Sequence, residues 1–262
     1  MKVDVVIIGG GIAGLWTLAR LREQAYSVVL VESGAIGGIQ SIASQGIIHG
    51  GTKYALGGKL GDSAKAIGNM PAIWNDCLSG RGEINLSGVK INTRKQLMWS
   101  TQGAVSKIAG FFAGKMMQDR MQQLDRKDFP PPFDSQDFKG VVYELNEPVL
   151  DTASLMSELY SQYADYCLSA NVSFEQGDPG IVICSQENRH DELRIEASQI
   201  VLAAGAGNAD LLQKLQRNMP RMQKRPVHMT MIKGELPAIY AHCLGSGATP
   251  VSYTHLRAHE TV

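Results

Sequence analysis

Gly9, Gly11 and Gly14 stand at the spacing G-x-G-x-x-G, and Glu32 follows about 20 residues later. These residue types at this spacing suit a dinucleotide. Gly9 permits a tight turn, Gly11 lets backbone N–H groups approach a pyrophosphate, and Gly14 lets a helix pack on the preceding strand. The free N–H donors of the helix start then face the phosphate charge. Glu32 can hold a ribose hydroxyl, and no Arg stands beside it to receive a 2′-phosphate, which argues against NADP. Glycines alone also describe an ordinary strand-to-helix turn, so the flanking elements decide the matter.

Those elements are legible. Val3, Val5, Val6, Ile7 and Ile8 form an apolar run broken only by Asp4, as expected of a parallel strand buried on both faces. Leu15, Leu18, Ala19 and Leu21 recur at helical spacing, and a second strand, Ser27 to Val31, ends at Glu32.

A second set of candidates follows. Ser44-Gln45-Gly46-Ile47-Ile48-His49-Gly50-Gly51 lies in a glycine-rich stretch that includes Gly37, Gly38, Gly57 and Gly58. So many glycines suit backbone running close to a flat ligand, and Ile47, Ile48 and Tyr54 argue against a solvated loop. His49 is the best candidate for proton transfer, because an imidazole titrates near neutrality. Lys53 and Tyr54 are candidates for orienting a substrate carboxylate, set against a solvated charge and a packing residue. His228, Lys233 and His242 fall on apparent strands, where structural roles are commoner, and His190 falls in an expected hairpin loop. Neither a catalytic triad nor paired carboxylates are visible.

Gly9 to Gly14, Glu32 and the Ser44–Gly51 segment together resemble the FAD-dependent oxidoreductases of the D-amino-acid oxidase superfamily, such as glycine oxidases, glycerol-3-phosphate dehydrogenases and 2-hydroxyglutarate oxidases. The resemblance implies FAD as cofactor and an α/β fold, a Rossmann-like FAD-binding domain with an inserted α+β substrate domain, incomplete at the C-terminus. It implies cofactor contacts from Gly9, Gly11, Ile12, Ala13, Gly14, Glu32 and Ser33. It adds flavin contacts from Ser44, Gln45 and Gly46, with His49 beside the ring as catalytic candidate or covalent anchor. Val172 would meet the adenine side, and Ala204 and Gly205 would end a strand that returns to the dinucleotide. Oxidation of a small amino acid, amine or 2-hydroxy acid by hydride transfer to flavin is the implied activity, with oxygen, a quinone or a carrier protein as electron acceptor. An NAD-linked dehydrogenase and a non-catalytic flavin-binding redox or assembly protein are the alternatives.

The rest of the chain fits this plan. Met70–Leu78 reads as a helix opened by Pro71. Val89–Ile91, Gln96–Trp99 and Val141–Tyr143 read as strands, Ala104–Met117 as a helix, and Phe129–Phe133 as a stiff polyproline loop. Asp151 and Thr152 offer N-caps to a helix running to about Ala170. Val172–Phe174, Ile181–Cys184, Leu193–Ile195 and Gln199–Gly205 read as strands, then a helix from Ala209 to Leu215. Pro226–Leu236 and Ile239–Leu244 suggest strands of the substrate domain. The expected division is 1–82 and 151–218 for the FAD-binding domain and 83–150 and 219–250 for the substrate domain. Residues 251–262 resemble a translated sequencing adapter, which implies a gene continuing past about Thr249. His255 and His259, spaced like half a metal site beside Glu260, are discounted for that reason, and no metal is expected.

Bulk properties narrow the field further. The 262 residues are 44% hydrophobic with zero formal net charge, so neither a nucleic-acid partner nor a charged membrane surface is indicated. No apolar run reaches the roughly 18 residues of a membrane span, and no signal peptide is visible. Cys77, Cys167, Cys184 and Cys243 lack metal or redox spacing and read as reduced thiols. A cytoplasmic or membrane-peripheral location is expected.

Overall fold

The computed structural model describes residues 1–51, 67–101, 121–175, 178–185, 192–223, 230, 234–244 and, for the backbone, 251–253. They form two compact units. The first comprises Met1–Ser44, Cys77–Val89 and Thr152–Met229; the second comprises Gln45–Asp76, Lys90–Asp151 and Thr230–Val262.

The first unit begins with β1 (Lys2–Ile8), α1 (Ile12–Glu23) and β2 (Val28–Glu32). Its sheet continues with β8 (Cys167–Ser169), β9 (Asn171–Glu175), β10 (Asp178–Ser185) and β11 (Glu192–Leu202) in the order β8-β2-β1-β11-β10-β9. The four strands β8, β2, β1 and β11 run parallel, and β10 and β9 add an antiparallel meander. Val6 and Ile7 are fully buried, as a strand covered on both faces requires. Helix α1 seals one face with Leu15, Leu18 and Ala19, all completely buried. Each leucine contributes roughly 1.5–3 kcal/mol by leaving water. A Leu18→Ala change would therefore cost about 2–5 kcal/mol.

Helix α3 (Thr152–Tyr163) buries Leu155, Met156 and Leu159 and packs against α1. It is shorter than its apolar periodicity predicts. A 3-10 turn over Ala164–Tyr166 ends it, and Cys167–Ser169 become a parallel strand paired with Leu30, Val31 and Glu32. Tyr166 and Cys167 satisfy a helical period, yet Tyr166 ends the turn and edge pairing with β2 fixes Cys167. Arg22 braces the turn, its guanidinium 4.1 Å from the Tyr166 ring centre. A second difference concerns β11, where two expected strands are one. Its N-terminal half pairs antiparallel with β10 and its C-terminal half pairs parallel with β1. It stops at Leu202, before Gly205.

Helix α2 (Met70–Leu78) starts in the residues assigned to the second unit and ends in those of the first. Within the second unit, β4 (Gln96–Ser100), β5 (Met121–Gln123), β6 (Val141–Leu145), β12 (Ala241–Leu244) and β13 (Val251–Tyr253) form a sheet in the order β13-β12-β4-β6-β5. The short strands β3 (Ile91–Thr93) and β7 (Val149–Leu150) pair separately. Met98, Tyr143 and Leu145 form the core of the larger sheet. Phe129–Phe133 is a turn rather than an extended polyproline segment, since the Phe133 N–H donates to the Pro130 carbonyl at 2.8 Å. Val251–Tyr253 add a strand to β12. The expected helix Ala104–Met117 and most of Pro226–Leu236 lie outside the described residues.

Candidate functional site

The first unit carries the glycine turn. Gly9 adopts φ +117°, a conformation L side chains rarely reach, and a β-carbon there would stand 2.5 Å from the Ala203 carbonyl carbon. Gly14 is just as constrained, because a β-carbon would overlap the Gly9 carbonyl oxygen. Gly11 differs: the nearest atom to a β-carbon would be Ser41 Oγ at 3.1 Å. It begins α1 without any side-chain cap. Ser41 does that work from a distance, its Oγ accepting from the Ile12 N–H at 2.9 Å.

Glu32 sits at the end of β2, where the sequence predicts it. Its Oε2 accepts from the Gly10 N–H at 2.6 Å and its Oε1 from the Gly34 N–H at 2.7 Å. An ionised carboxylate has about four acceptor positions, so capacity remains for hydroxyl donors. Ser33 follows in the same bend, and the Gly37 N–H donates to the Gly10 carbonyl. At the end of β11, the Ala203 N–H donates to the Ile8 carbonyl at 2.8 Å, setting this strand end beside the glycine turn. The Ala204 N–H donates to Asn208 Oδ1, and Gln40 Oε1 accepts from the Ala206 N–H across Gly205. Val172 is half-buried on β9 against the apolar core, with its carbonyl accepting from Lys214. The structure thus gathers Gly9–Gly14, Glu32 and Ala204–Gly205, and adds Ser41 and Gln40.

The second unit carries His49. The segment from Gly46 to Gly50 lies strand-like along residues 147–150: the Leu150 N–H donates to the Gly46 carbonyl, Ile47 bridges Val149, and the Ile48 N–H donates to the Pro148 carbonyl. This brings Glu147 level with His49. The Gly50 N–H donates to Glu147 Oε1 at 2.8 Å, and Oε2 faces His49 Nδ1 at 3.4 Å. His242, on β12 and 1% exposed, stacks on His49 with ring centres 5.5 Å apart and planes 19° apart. One ligand atom from each of the three lies within 4.8 Å of the others. Ser44 falls in the first unit and Gln45 and Gly46 in the second. Lys53, Tyr54, His190, His228, Lys233, His255 and His259 lie outside the described residues.

The cysteines are free thiols. Burial pushes the Cys167 thiol up to about 11, and raises Cys184 and Cys243 as well, so thiol chemistry at neutral pH is suppressed.

A strand, glycine turn, helix and acid-ended second strand define a dinucleotide-binding α/β protein. The residues fit FAD, since Gly11 offers no side chain over the helix start and Glu32 closes the far side of the turn. The chain belongs to the DAO family of FAD-dependent oxidoreductases, whose family model matches residues 4–253. It is 42% identical over 253 residues to the "Probable FAD-dependent oxidoreductase PA4991" of Pseudomonas aeruginosa, covering 95% of this chain and 63% of that protein. The chain therefore spans less than two thirds of the length of this curated relative. The crystal structure of PA4991 aligns with a TM-score of 0.72 at 36% identity, over 94% of this chain and 60% of that one. Glycine oxidase from Geobacillus kaustophilus shares the fold, with a TM-score of 0.62 at 14% identity, over 98% of this chain and 75% of that one. FAD is the cofactor of the family. No helix among the described residues is long and apolar enough to cross a membrane.

Proposed function

We propose that this chain is the cofactor-binding part of an oxidoreductase that removes two electrons from a carbon bearing an amine or hydroxyl, in a small amino acid, amine or 2-hydroxy acid. The observation that carries this reading is the turn Gly9–Gly14 closed by Glu32, in a member of an FAD-dependent family. Gly11, Ile12, Ala13 and Gly14 present backbone to the pyrophosphate, Glu32 and Ser33 hold the ribose side, and Val172, Ala204 and Gly205 line the dinucleotide. Ser44, Gln45 and Gly46 contact the flavin. When bound, the flavin would supply the two-electron acceptor for this oxidation. His49 takes the remaining proton from the substrate N–H or O–H, leaving a C=N or C=O bond. Glu147 Oε2 lies 3.4 Å from its Nδ1.

The test is the visible spectrum of the purified protein, followed by anaerobic mixing with amino acids, secondary amines and 2-hydroxy acids. A flavin band that bleaches with one class supports the reading and names that class. A protein with no flavin band after incubation with FAD overturns it. Binding of a nicotinamide dinucleotide in place of FAD would favour an NAD-linked dehydrogenase. A flavin that no such substrate reduces, in a stable complex with a partner, would favour a redox or assembly protein.

A further inference from the structure

We propose that Gln96 is a substrate-recognition residue, whose side-chain amide holds together the carboxylate and the amine or hydroxyl of an amino acid or 2-hydroxy acid, on the sheet face where His242 meets His49. This rests on His49 taking the substrate proton. It narrows the substrate class to molecules with a carboxylate beside the reacting carbon, and simple amines fall outside it.

The state of the amide carries it. Gln96 is 0% exposed, and neither its Oε1 nor its Nε2 has a hydrogen-bond partner among the described residues. A buried primary amide left unpaired is costly, and native chains rarely keep one without a use. An apolar side chain would fill the same place without that cost. The amide offers a carbonyl oxygen that accepts and, beside it, an NH2 group that donates. A ligand that answers both must present a donor and an acceptor side by side. In an amino acid or 2-hydroxy acid the amine or hydroxyl is the donor and a carboxylate oxygen is the acceptor. A protonated simple amine only donates, so Nε2 would stay unmet.

Its place in the sheet brings Gln96 to the histidines. Side chains alternate along β4, so Gln96 shares a face with Met98 and Ser100 while Leu97 and Trp99 take the other, and burial follows that alternation. Met98 pairs with His242 on β12 and with Tyr143 on β6, and Gln96 pairs with Leu145. Gln96 and His242 are thus diagonal neighbours on one face, with Cα atoms about 8 Å apart by ordinary strand spacing. His242 in turn stacks on His49. The core on this face is Met98, Tyr143 and Leu145, so the amide is a polar group in mostly apolar surroundings, as in small-molecule sites. Two other residues of β4 have unpaired buried groups, Trp99 Nε1 and Ser100 Oγ. Trp99 lies on the opposite face against Phe133 and Phe138, and Ser100 is at the far end of β4 beside Leu244 and Val141.

The experiment uses the full chain incubated with FAD, with glycine, glycolate and methylamine as probes. NMR of protein labelled at the glutamine side-chain nitrogen reads the Gln96 amide, assigned by its disappearance in Gln96→Met, a substitution of similar volume. Glycine or glycolate should shift that signal in the wild type, with methylamine binding about tenfold more weakly or worse. In Gln96→Met the affinity for the acid probe should fall about tenfold or more, and the preference over methylamine should vanish. Urea unfolding without probes supplies the readout that a structural role would reverse. Gln96→Met or Gln96→Leu should unfold at the same or a higher urea concentration than the wild type, because an unpaired amide gives way to an apolar group. A midpoint lowered in both variants shows that the amide is satisfied within the folded protein, and overturns the proposal. So does an acid-probe affinity unchanged in Gln96→Met, or a wild type that binds neither acid probe. Weakened FAD binding in Gln96→Met would assign the amide to the cofactor, and also overturns it. The flavin reading fails separately, through a wild type with no flavin band, because the amide signal and the urea midpoints remain measurable without FAD.

Discussion

The carbonyl oxygen of Gly9 occupies the space that a side chain at Gly14 would need. The turn and the first turn of α1 are therefore in backbone contact. Gly14→Ala forces one of them to move, and overpacking of this kind costs about 1–3 kcal/mol. Urea unfolding of the apoprotein should show a lowered midpoint. Wild-type stability in this variant would contradict the contact.

Gly11→Val should behave differently. Among the described residues the nearest atom is Ser41 Oγ, a hydroxyl that can turn aside. Stability should change by no more than about 1 kcal/mol, while flavin content falls to background because a branched side chain stands where the pyrophosphate approaches. Normal flavin absorbance in Gly11→Val would place the phosphate elsewhere.

Ser41→Ala removes the acceptor for the Ile12 N–H and so acts as the loss of a helix cap from a residue distant in sequence. The expected cost is about 1 kcal/mol, measured by the same unfolding assay. No change would mean that water replaces the hydroxyl without penalty.

Glu32→Ala should weaken FAD by roughly the 1.5–3 kcal/mol of a charge-assisted hydrogen bond. It also releases the Gly10 and Gly34 N–H groups, so the apoprotein should lose stability too. Titration of apoprotein with FAD measures the first effect and urea unfolding the second. An unchanged dissociation constant would remove Glu32 from the ribose.

Cys167, its thiol pushed up to about 11 by burial, should be nearly inert to maleimide at pH 7. Its labelling rate should rise tenfold per pH unit toward that value, because the thiolate is the nucleophile. A plateau reached near pH 8.5 would show an ordinary exposed thiol. Mass spectrometry of labelled peptides separates Cys167 from the other three.

The turn was legible in the sequence because its demands are local: a left-handed residue at Gly9, no side chain at Gly14 and an acid ending the next strand. The helper residues were not legible. Ser41 reaches Ile12 across 29 residues through a loop hydroxyl, and nothing about a serine among glycines marks it as a cap. Glu147 stands in a loop before a two-residue strand, and only the pairing of 147–150 with 46–50 aligns it with His49. His242 offered a faint signal, a titratable ring in an apolar strand, which reads equally as a structural histidine. The helix expected to reach Ala170 failed because Cys167 and Leu168 suit either a helical face or a parallel strand, and the choice lies with β2.

Strand β11 sets a timetable for the nascent chain. Lys2 and Glu196 are 194 positions apart, yet they are partners in the sheet. At the usual synthesis rate of about 5–20 residues per second, β1 waits roughly 10–40 s on the ribosome for that neighbour. Until then its β11 edge is unpaired, and the Gly9 turn lacks the Ala203 backbone that braces it. The nucleotide turn, encoded first, is thus completed only after some 200 residues have been made. A vectorially made chain should become able to retain FAD only after Ala203–Gly205 have emerged, whatever has folded before.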